Sequence, residues 1–379
     1  MTKYIPIHNE DVADYLNHLY NSDYRRPSNF APLTVYPTIR QKNDLKKYVE
    51  DNVENFIFNE RMANISLKRD DIQTIVSQGK KIYLNIFSEL FFTLDKYNNL
   101  SYTQHYRSNR AVLSKRYKGR GDRRSPQNYR YFYNFSNNIK LLDKIWCHKV
   151  ISELSGKLDN RRYLSFYGAH VINTNLKVKA VEFTNSMDNK IMLDLVKAFD
   201  SVSFSTLEKL LKGYLVRKLG EKKGTTYFEQ YFNRIIHTRV FYNGTEIKRN
   251  KGLPTGLPSS TFVFTCFMDE LFFLFMKNYP TFTKYFEYQV YVDDIGIHVL
   301  DSTIDIREFM DPLFRIFTDY GFSFNPAKCQ ISNNIANAYK DFSIITKDTK
   351  YLGIYFARDV TEYIEIVVNE FNERYQTNL

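Results

Sequence analysis

The chain has 379 residues, of which 43% are hydrophobic and 25% charged, as in an ordinary globular protein with one large core or two to three smaller ones. Its net charge of +11 favours a polyanionic partner, most often nucleic acid. Three cysteines without CxxC spacing exclude a disulfide framework and a zinc site. No apolar run follows a basic region near Met1, and the most apolar stretch, 261–276, is short and contains two acids. We therefore expect a soluble, cytoplasmic protein without a membrane span.

The first half of the chain is predicted to be helical and then basic. Residues 1–104 are expected to be mainly helical, with an apolar spacing over 70–94 that fits one or two buried helices. Segment 107–130 is rich in lysine and arginine, and its glycines at 119 and 121 mark a turn between two strands or a strand and a loop. A further helix is predicted over 141–154.

From about residue 180, short β-rich runs alternate with helices. A hairpin is predicted over 239–248, with Asn243-Gly244 as its tight turn. We expect Asp200 to cap the segment after it, and Ser259 or Ser260 to cap the helix that follows. The predicted strands cover 190–194, 285–292, 295–300, 329–332 and parts of 342–356, and the helices cover 204–219, 257–276, 306–320 and 362–375. This mixture predicts an α+β domain, an antiparallel sheet with helices on one face.

Three acids stand at the ends of predicted strands: Asp194, and the adjacent pair Asp293 and Asp294. Like charges side by side raise each other's pKa, so the pair is costly at a hairpin tip. An acidic turn is the alternative reading, because aspartate is common in turns. Carboxylates from two neighbouring strand ends can hold two divalent cations about 3.5–4 Å apart. Oxygen ligands of this kind suit Mg²⁺, with Mn²⁺ as the alternative ion.

Five segments in order resemble the successive palm motifs of reverse transcriptases, over roughly residues 105–356; they are 194–200, 252–260, 291–294, 321–328 and 351–353. The chain resembles the bacterial retron, abortive-infection and "unknown group" defence-associated enzymes more than the retroviral ones. The resemblance implies a right-hand fold of fingers and palm. It places a helical N-terminal region at 1–104, basic fingers at 105–180, the palm at 181–356, and a short C-terminal helix at 357–379 where a full thumb would need more chain.

The resemblance also implies roles for residues around the acids. Asp194 and Asp293 would bind both metal ions with Asp294 as a supporting acid, and the Leu195 carbonyl would face the nucleotide metal. Phe199 falls on the steric-gate position, where a large ring excludes a ribose 2′-hydroxyl; an ordinary core ring is the alternative. Lys328 would protonate or neutralise the leaving pyrophosphate, and a plain surface charge is the alternative.

Segment 251–260 resembles the motif whose backbone packs beneath the incoming base, where Gly256 permits close approach. Thr255 replaces the usual Gln, and Ser260-Thr261 replaces the usual Ser-Pro. These departures favour the abortive-infection and defence branch.

Two further segments complete the resemblance. Leu352 and Gly353 belong to the segment that is similar to the primer-grip hairpin. Lys115, Arg123 and Arg124 lie in the segment similar to the fingers hairpin, where basic side chains grip the triphosphate. A basic loop that binds RNA phosphates without specificity is the alternative.

The implied activity is RNA-directed DNA synthesis from dNTPs, on an RNA template or non-coding RNA, in antiphage defence. A second protein or oligomerisation would supply the function of the thumb, and a tyrosine hydroxyl is one candidate primer. Two alternatives remain open: untemplated or repetitive deoxynucleotide addition by the same site, and an RNA-binding scaffold with an inactive palm.

Overall fold

A computed structural model describes residues 9–21, 110–135, parts of 140–164, 174–236, 238–301 and 303–376. The chain divides into two compact units, Met1–Ser155 with Phe199–Ser260, and Gly156–Ala198 with Thr261–Leu379. The helices predicted over 70–94 lie outside the described residues.

The helices and strands follow in chain order. The helices are α1 (Asn9–Leu19), α2 (Thr174–Thr184), α3 (Ala198–Ser201), α4 (Phe204–Leu219), α5 (Glu221–Ile236), α6 (Ser259–Asn278), α7 (Arg307–Asp319) and α8 (Val360–Gln376). The strands are β1 (Arg110–Tyr117), β2 (Tyr129–Phe135), β3 (Lys190–Leu193), β4 (Arg239–Tyr242), β5 (Thr245–Ile247), β6 (Phe286–Tyr291), β7 (Asp294–Val299), β8 (Gln330–Ile331), β9 (Ser343–Ile344), β10 (Lys350–Tyr351) and β11 (Ile354–Tyr355). Among the described residues of 140–153, the backbone is helical, as predicted.

The first unit contains a four-stranded sheet in the order β2-β1-β4-β5. The basic segment forms the antiparallel hairpin β1–β2, which confirms its predicted strand and turn, and β1 also pairs in parallel with β4. Burial alternates along β2, so that its aromatic residues at 129, 131, 133 and 135 point inward. The hairpin β4–β5 turns at Asn243 and Gly244, whose φ values of 46° and 86° are those that this tight turn requires.

Helix α4 begins where the sequence predicted, but Asp200 does not cap it. The cap is Ser203, whose side chain accepts a hydrogen bond from the Thr206 amide. Asp200 lies inside α3 and accepts a hydrogen bond from the buried Tyr20 hydroxyl at 3.2 Å. The prediction failed because a tertiary partner competes for the carboxylate.

The second unit contains a five-stranded sheet in the order β6-β7-β3-β8-β9. All its pairs are antiparallel except β8–β9, which is parallel, so the sheet is mixed rather than purely antiparallel. One face carries Ile191, Ile297 and Tyr288 toward helices α6 and α7; Tyr288 stacks on Phe272 with ring centroids 3.9 Å apart. Sheets and helices together give the predicted α+β architecture.

The opposite face of this sheet is also covered, which the prediction of helices on one face missed. Gly296 leaves room there for Phe183 of α2 and for Tyr351 of β10, since a Cβ at position 296 would lie 3.0–3.1 Å from both rings. Phe183 and Tyr351 lie 4.5 Å apart by ring centroids, in a small cluster with Phe356 and Ile345. The hairpin β10–β11 is thus fixed to the sheet by apolar packing.

Helix α6 has 20 residues and is long and apolar enough to cross a membrane by length and composition. The expectation that this stretch is too short was therefore wrong. Its most apolar window is 78% buried inside the protein, as in the core helix of a globular domain.

Candidate active site

The three predicted acids meet at one end of the second unit's sheet. Leu193 pairs with Ile295, so the next positions, Asp194 and Asp294, lie opposite each other across β3 and β7. Asp294 is the first residue of β7 and pairs with Tyr291. The connection between the strands is therefore Val292-Asp293, one residue earlier than the predicted Asp293-Asp294.

The turn that carries Asp293 holds an unfavourable backbone conformation. Val292 has a φ of 60°, a left-handed conformation that is rare for a β-branched residue and costs about 1–3 kcal/mol. A positive φ at the first central residue is the type II′ pattern, where glycine is usual. The turn thus fixes where Asp293 projects from the end of the hairpin.

Lys328 is tied to Asp194. Its Nζ lies 3.1 Å from Asp194 Oδ1 and 3.3 Å from Oδ2, with the lysine side chain 50% and the aspartate side chain 34% exposed. The backbone holds the two segments together, since the Asn325 amide donates to the Asp194 carbonyl at 2.9 Å and Leu195 bridges to Phe324. Segment 321–328 is therefore built onto the end of β3, with Lys328 directed at the acids.

The acids repel one another. Partial burial, together with the negative charges of Asp293 and Asp194, raises the pKa of Asp294 to about 6, and Lys328 opposes this rise. The Asp294 side chain is open to solvent on one side, and protein atoms surround it on the other sides. The group of acids therefore carries more negative charge than Lys328 neutralises.

Two residues, Cys329 and Tyr351, lie beside the acids without having been predicted to do so. The Asp194 amide donates to Cys329 Sγ at 3.4 Å, and Cys329 is fully buried, which raises the pKa of its thiol. Tyr351, 3% exposed, lies close enough to Asp294 to feel its charge. The position of Cys329 at the start of a predicted strand signals burial, but its contact with a residue 135 positions away is a tertiary fact.

In the first unit, the loop over 251–258 is joined to β2. The Thr255 hydroxyl donates to the Tyr131 carbonyl at 3.0 Å, and the Tyr133 amide donates to the Thr255 carbonyl at 2.9 Å. Gly256 has a φ of 114°, and a Cβ there would lie 2.6 Å from the Tyr133 carbonyl oxygen. The glycine is therefore required for the close approach of this loop to strand β2.

A buried ion pair fixes the end of the same loop. Asp143, with no exposed surface, accepts hydrogen bonds from the Ser259 amide and hydroxyl, each at 2.7 Å, and from the Arg234 guanidinium. Burial raises the pKa of the Asp143 carboxyl, while Arg234 and Ser259 act in the opposite direction. Asp143 therefore caps helix α6 from a distant segment, and the prediction that Ser259 or Ser260 would be the cap was wrong; the Ser260 hydroxyl donates to the Pro254 carbonyl at 2.6 Å.

Phe199 lies half-buried in α3, and its carbonyl accepts a hydrogen bond from the Leu253 amide at 2.8 Å. The predicted nucleotide-binding residues Phe199, Thr255 and Gly256 thus all belong to the first unit. Leu195 belongs to the second unit and is 5% exposed.

The basic residues predicted to bind the triphosphate lie on the β1–β2 hairpin. Lys115 Nζ lies 5.1 Å from the centroid of the Tyr129 ring, and the Arg123 guanidinium lies 5.0 Å from that of Tyr117. The Arg124 amide and side chain both bond to Asp122 Oδ1, at 2.9 and 3.4 Å, in an exposed setting. Screening by solvent makes this pair weak, so Arg124 can exchange it for another anion.

The predicted primer-grip residues form the turn between β10 and β11. Leu352 and Gly353 have φ values of 49° and 82°, as expected for a two-residue hairpin turn of type I′.

Within the described ranges, no three His, Cys, Asp or Glu side chains are close enough together to hold a metal ion as they stand.

A model of the family "Reverse transcriptase (RNA-dependent DNA polymerase)" matches residues 118–356. The matched segment contains the three acids, Lys328 and both hairpin turns of the second unit. Enzymes of this family copy an RNA template into DNA from dNTPs and generally use divalent metal ions such as Mg²⁺. The chain therefore belongs to the reverse transcriptase family and is a nucleotidyltransferase, an RNA-directed DNA polymerase.

Proposed function

We propose that the chain adds deoxynucleotides to a primer at a two-metal centre formed by Asp194, Asp293 and Asp294. The observation that carries this proposal is the register of β3 and β7, which sets Asp194 opposite Asp294 beside the strained turn of Asp293. The residues fit Mg²⁺ on two grounds. Their donors are carboxylate oxygens, and Lys328 already places a cation against both oxygens of Asp194.

When bound, two Mg²⁺ ions would activate the attacking oxygen and stabilise the leaving one. Asp194, Asp293 and Asp294 would hold them, with the Leu195 carbonyl at the nucleotide metal. Lys328 would neutralise the pyrophosphate or donate its proton to it, since its ammonium already lies at the acids.

The remaining residues would select and orient the substrates. Phe199 would exclude the ribose 2′-hydroxyl, and Thr255 and Gly256 would set the floor beneath the incoming base. Lys115, Arg123 and Arg124 would bind the triphosphate. The Arg124 side chain would exchange its exposed pair with Asp122 for a phosphate oxygen. Leu352 and Gly353 would lie against the primer strand.

We place this activity in the cytoplasm, in an antiphage defence system with a non-coding RNA. The support is segment 251–261, in which Thr255 and Thr261 stand where the commonest pattern has Gln and Pro. The Thr255 hydroxyl is bonded to the Tyr131 carbonyl, so it serves the loop's attachment to the hairpin.

The test is primer extension with purified protein and an RNA template, in Mg²⁺ with either dNTPs or NTPs. We expect dNTP incorporation that EDTA abolishes and that Asp194→Asn or Asp293→Asn lowers by at least about 10²-fold. The matched control is Asp188→Asn, an exposed acid just before β3. Full activity in the Asp293→Asn variant would refute the metal centre.

Product analysis separates the alternatives. Equal incorporation of NTPs and dNTPs by the wild type would refute the role of Phe199, whereas Phe199→Ala should admit NTPs. A DNA product with no complement in the supplied RNA would establish untemplated synthesis by the same site.

A further inference from the structure

A cavity lies in the unit that carries the acids. It has a volume of about 320 Å³, within the range of small-ligand sites, and opens beside the sheet face of Gly296 and His298. Gly296 is two residues and His298 four residues beyond Asp294 on β7, which corresponds to about 7 and 13 Å along the strand. The cavity is therefore separate from the three carboxylates.

Lys190 is the buried charge of this cavity. The residue is 3% exposed, and β3 holds its backbone firmly, since the Ser332 amide donates to the Lys190 carbonyl at 2.8 Å. Its Nζ lies 5.1 Å from the centroid of the Phe183 ring. Among the residues that the structure describes, no hydrogen bond or ion pair reaches that ammonium, and burial lowers the pKa of Lys190 to about 8 against the opposing charge of Glu287. An ammonium that ends a nearly buried side chain and faces the cavity without a hydrogen-bonded partner is unfavourable, and an anionic ligand would relieve it.

The other charges of the wall add to this preference for an anion. Four cationic side chains line the cavity (Arg161, Arg162, Lys179 and Lys190) against two acidic ones (Glu182 and Glu287). Lys179 is paired with Glu182, which leaves Arg161, Arg162 and Lys190 against Glu287. Burial and the nearby Lys190 lower the pKa of His298, so that its imidazole is neutral at pH 7 and can still donate a hydrogen bond.

Arginine and lysine together favour phosphate over a simpler anion. A guanidinium presents a fork of N–H groups to phosphate oxygens, and an ammonium adds a point charge. The Arg162 guanidinium lies 5.1 Å from the centroid of the Tyr288 ring, which keeps it at the edge of the cavity, and its contact with Asp159 is long, at 3.8 Å. Arg161, Arg162 and Lys190 can thus surround one anionic group from the rim and the floor.

We propose that this cavity binds a phosphate group, carried by a free nucleotide or by a nucleic-acid strand, with Lys190 as the buried charge and Arg161 and Arg162 at its rim. The proposal goes beyond DNA synthesis and does not depend on the metal centre.

Binding should be measured by calorimetry and thermal shift on the full chain in EDTA, so that no turnover occurs. The probes are inorganic phosphate, a deoxynucleoside monophosphate, and a short single-stranded oligonucleotide without terminal phosphates. Lys190→Met removes the charge at nearly the same volume, and Lys340→Met, an exposed lysine of the same unit, is the matched control.

We expect Lys190→Met to fold at least as stably as the wild type and to bind phosphate at least tenfold more weakly, with Lys340→Met unchanged. The exposed Arg162→Gln variant should weaken binding as well, and it keeps the test valid if Lys190→Met fails to fold. Competition by the monophosphate alone assigns the site to free nucleotides, and competition by the oligonucleotide assigns it to a strand. Equal affinities for Lys190→Met and Lys340→Met, or no phosphate binding by the wild type, would overturn the proposal.

Discussion

Replacing Asp143 with alanine should destabilise the first unit strongly. The carboxylate is fully buried and accepts from Arg234 and from two groups of Ser259. Its removal leaves Arg234, itself 7% exposed, as a buried charge without its carboxylate, and it uncaps helix α6. Breaking a buried pair in this way costs about 3–5 kcal/mol, a large part of a typical folding free energy of about 5–15 kcal/mol.

Urea unfolding followed by circular dichroism measures this loss. The exposed Asp188→Ala variant serves as control and should stay within about 0.5 kcal/mol of the wild type. The double variant Asp143→Ala, Arg234→Met should be more stable than Asp143→Ala alone, because no unpaired buried charge remains. A loss below about 1 kcal/mol in Asp143→Ala would refute the view that this pair fixes the loop and the helix start.

Three further outcomes are expected. Gly256→Ala should lower the free energy of unfolding, measured in urea, by about 1–3 kcal/mol. Gly119→Ala should lower it less, because Gly119 also has a positive φ but a Cβ there would meet no other atom. Equal losses for the two variants would contradict the close approach of Gly256 to Tyr133. The difference in free energy of unfolding between the wild type and Lys190→Met should shift by about 1–3 kcal/mol in favour of the wild type between pH 8 and 10.5, because there the unfolded state holds a proton that folded Lys190 has lost; the range allows for partial access of solvent, and a constant difference would contradict the lowered pKa of Lys190. Lys328→Met should lower kcat of primer extension by about 10²-fold, and an unchanged kcat would make this lysine a plain surface charge.

Local patterns were sufficient for the elements that position the acids. Alternating apolar residues on both sides of 291–294 predicted the hairpin β6–β7, and Asn243-Gly244 predicted the turn of β4–β5, because both signals lie within a few residues of the structure they specify. The exact turn was misplaced by one residue, since nothing local suggests that Val292 adopts a positive φ.

The contacts that support the site could not be predicted in the same way. Asp143 and Ser259 are 116 residues apart, and Asp194 and Cys329 are 135 apart. Such pairs depend on how the sheets and helices come together, which one sequence does not reveal. Asp200 and Ser259 show why local prediction fails here. Both are residue types that commonly cap helices, but each side chain forms its hydrogen bond with a residue far away in the sequence.

Val292, in the turn that carries Asp293, links the stability of the fold to the proposed activity. Glycine at position 292 would adopt the same backbone angles without strain and would be the better choice for stability alone. It would also let the turn sample many more conformations. Asp293 would then spend less time in the orientation in which it could bind a metal ion together with Asp194 and Asp294. The strained valine therefore restricts the turn: the folded state is less stable than it would be with glycine, and the Asp293 carboxylate is held in a narrower range of positions.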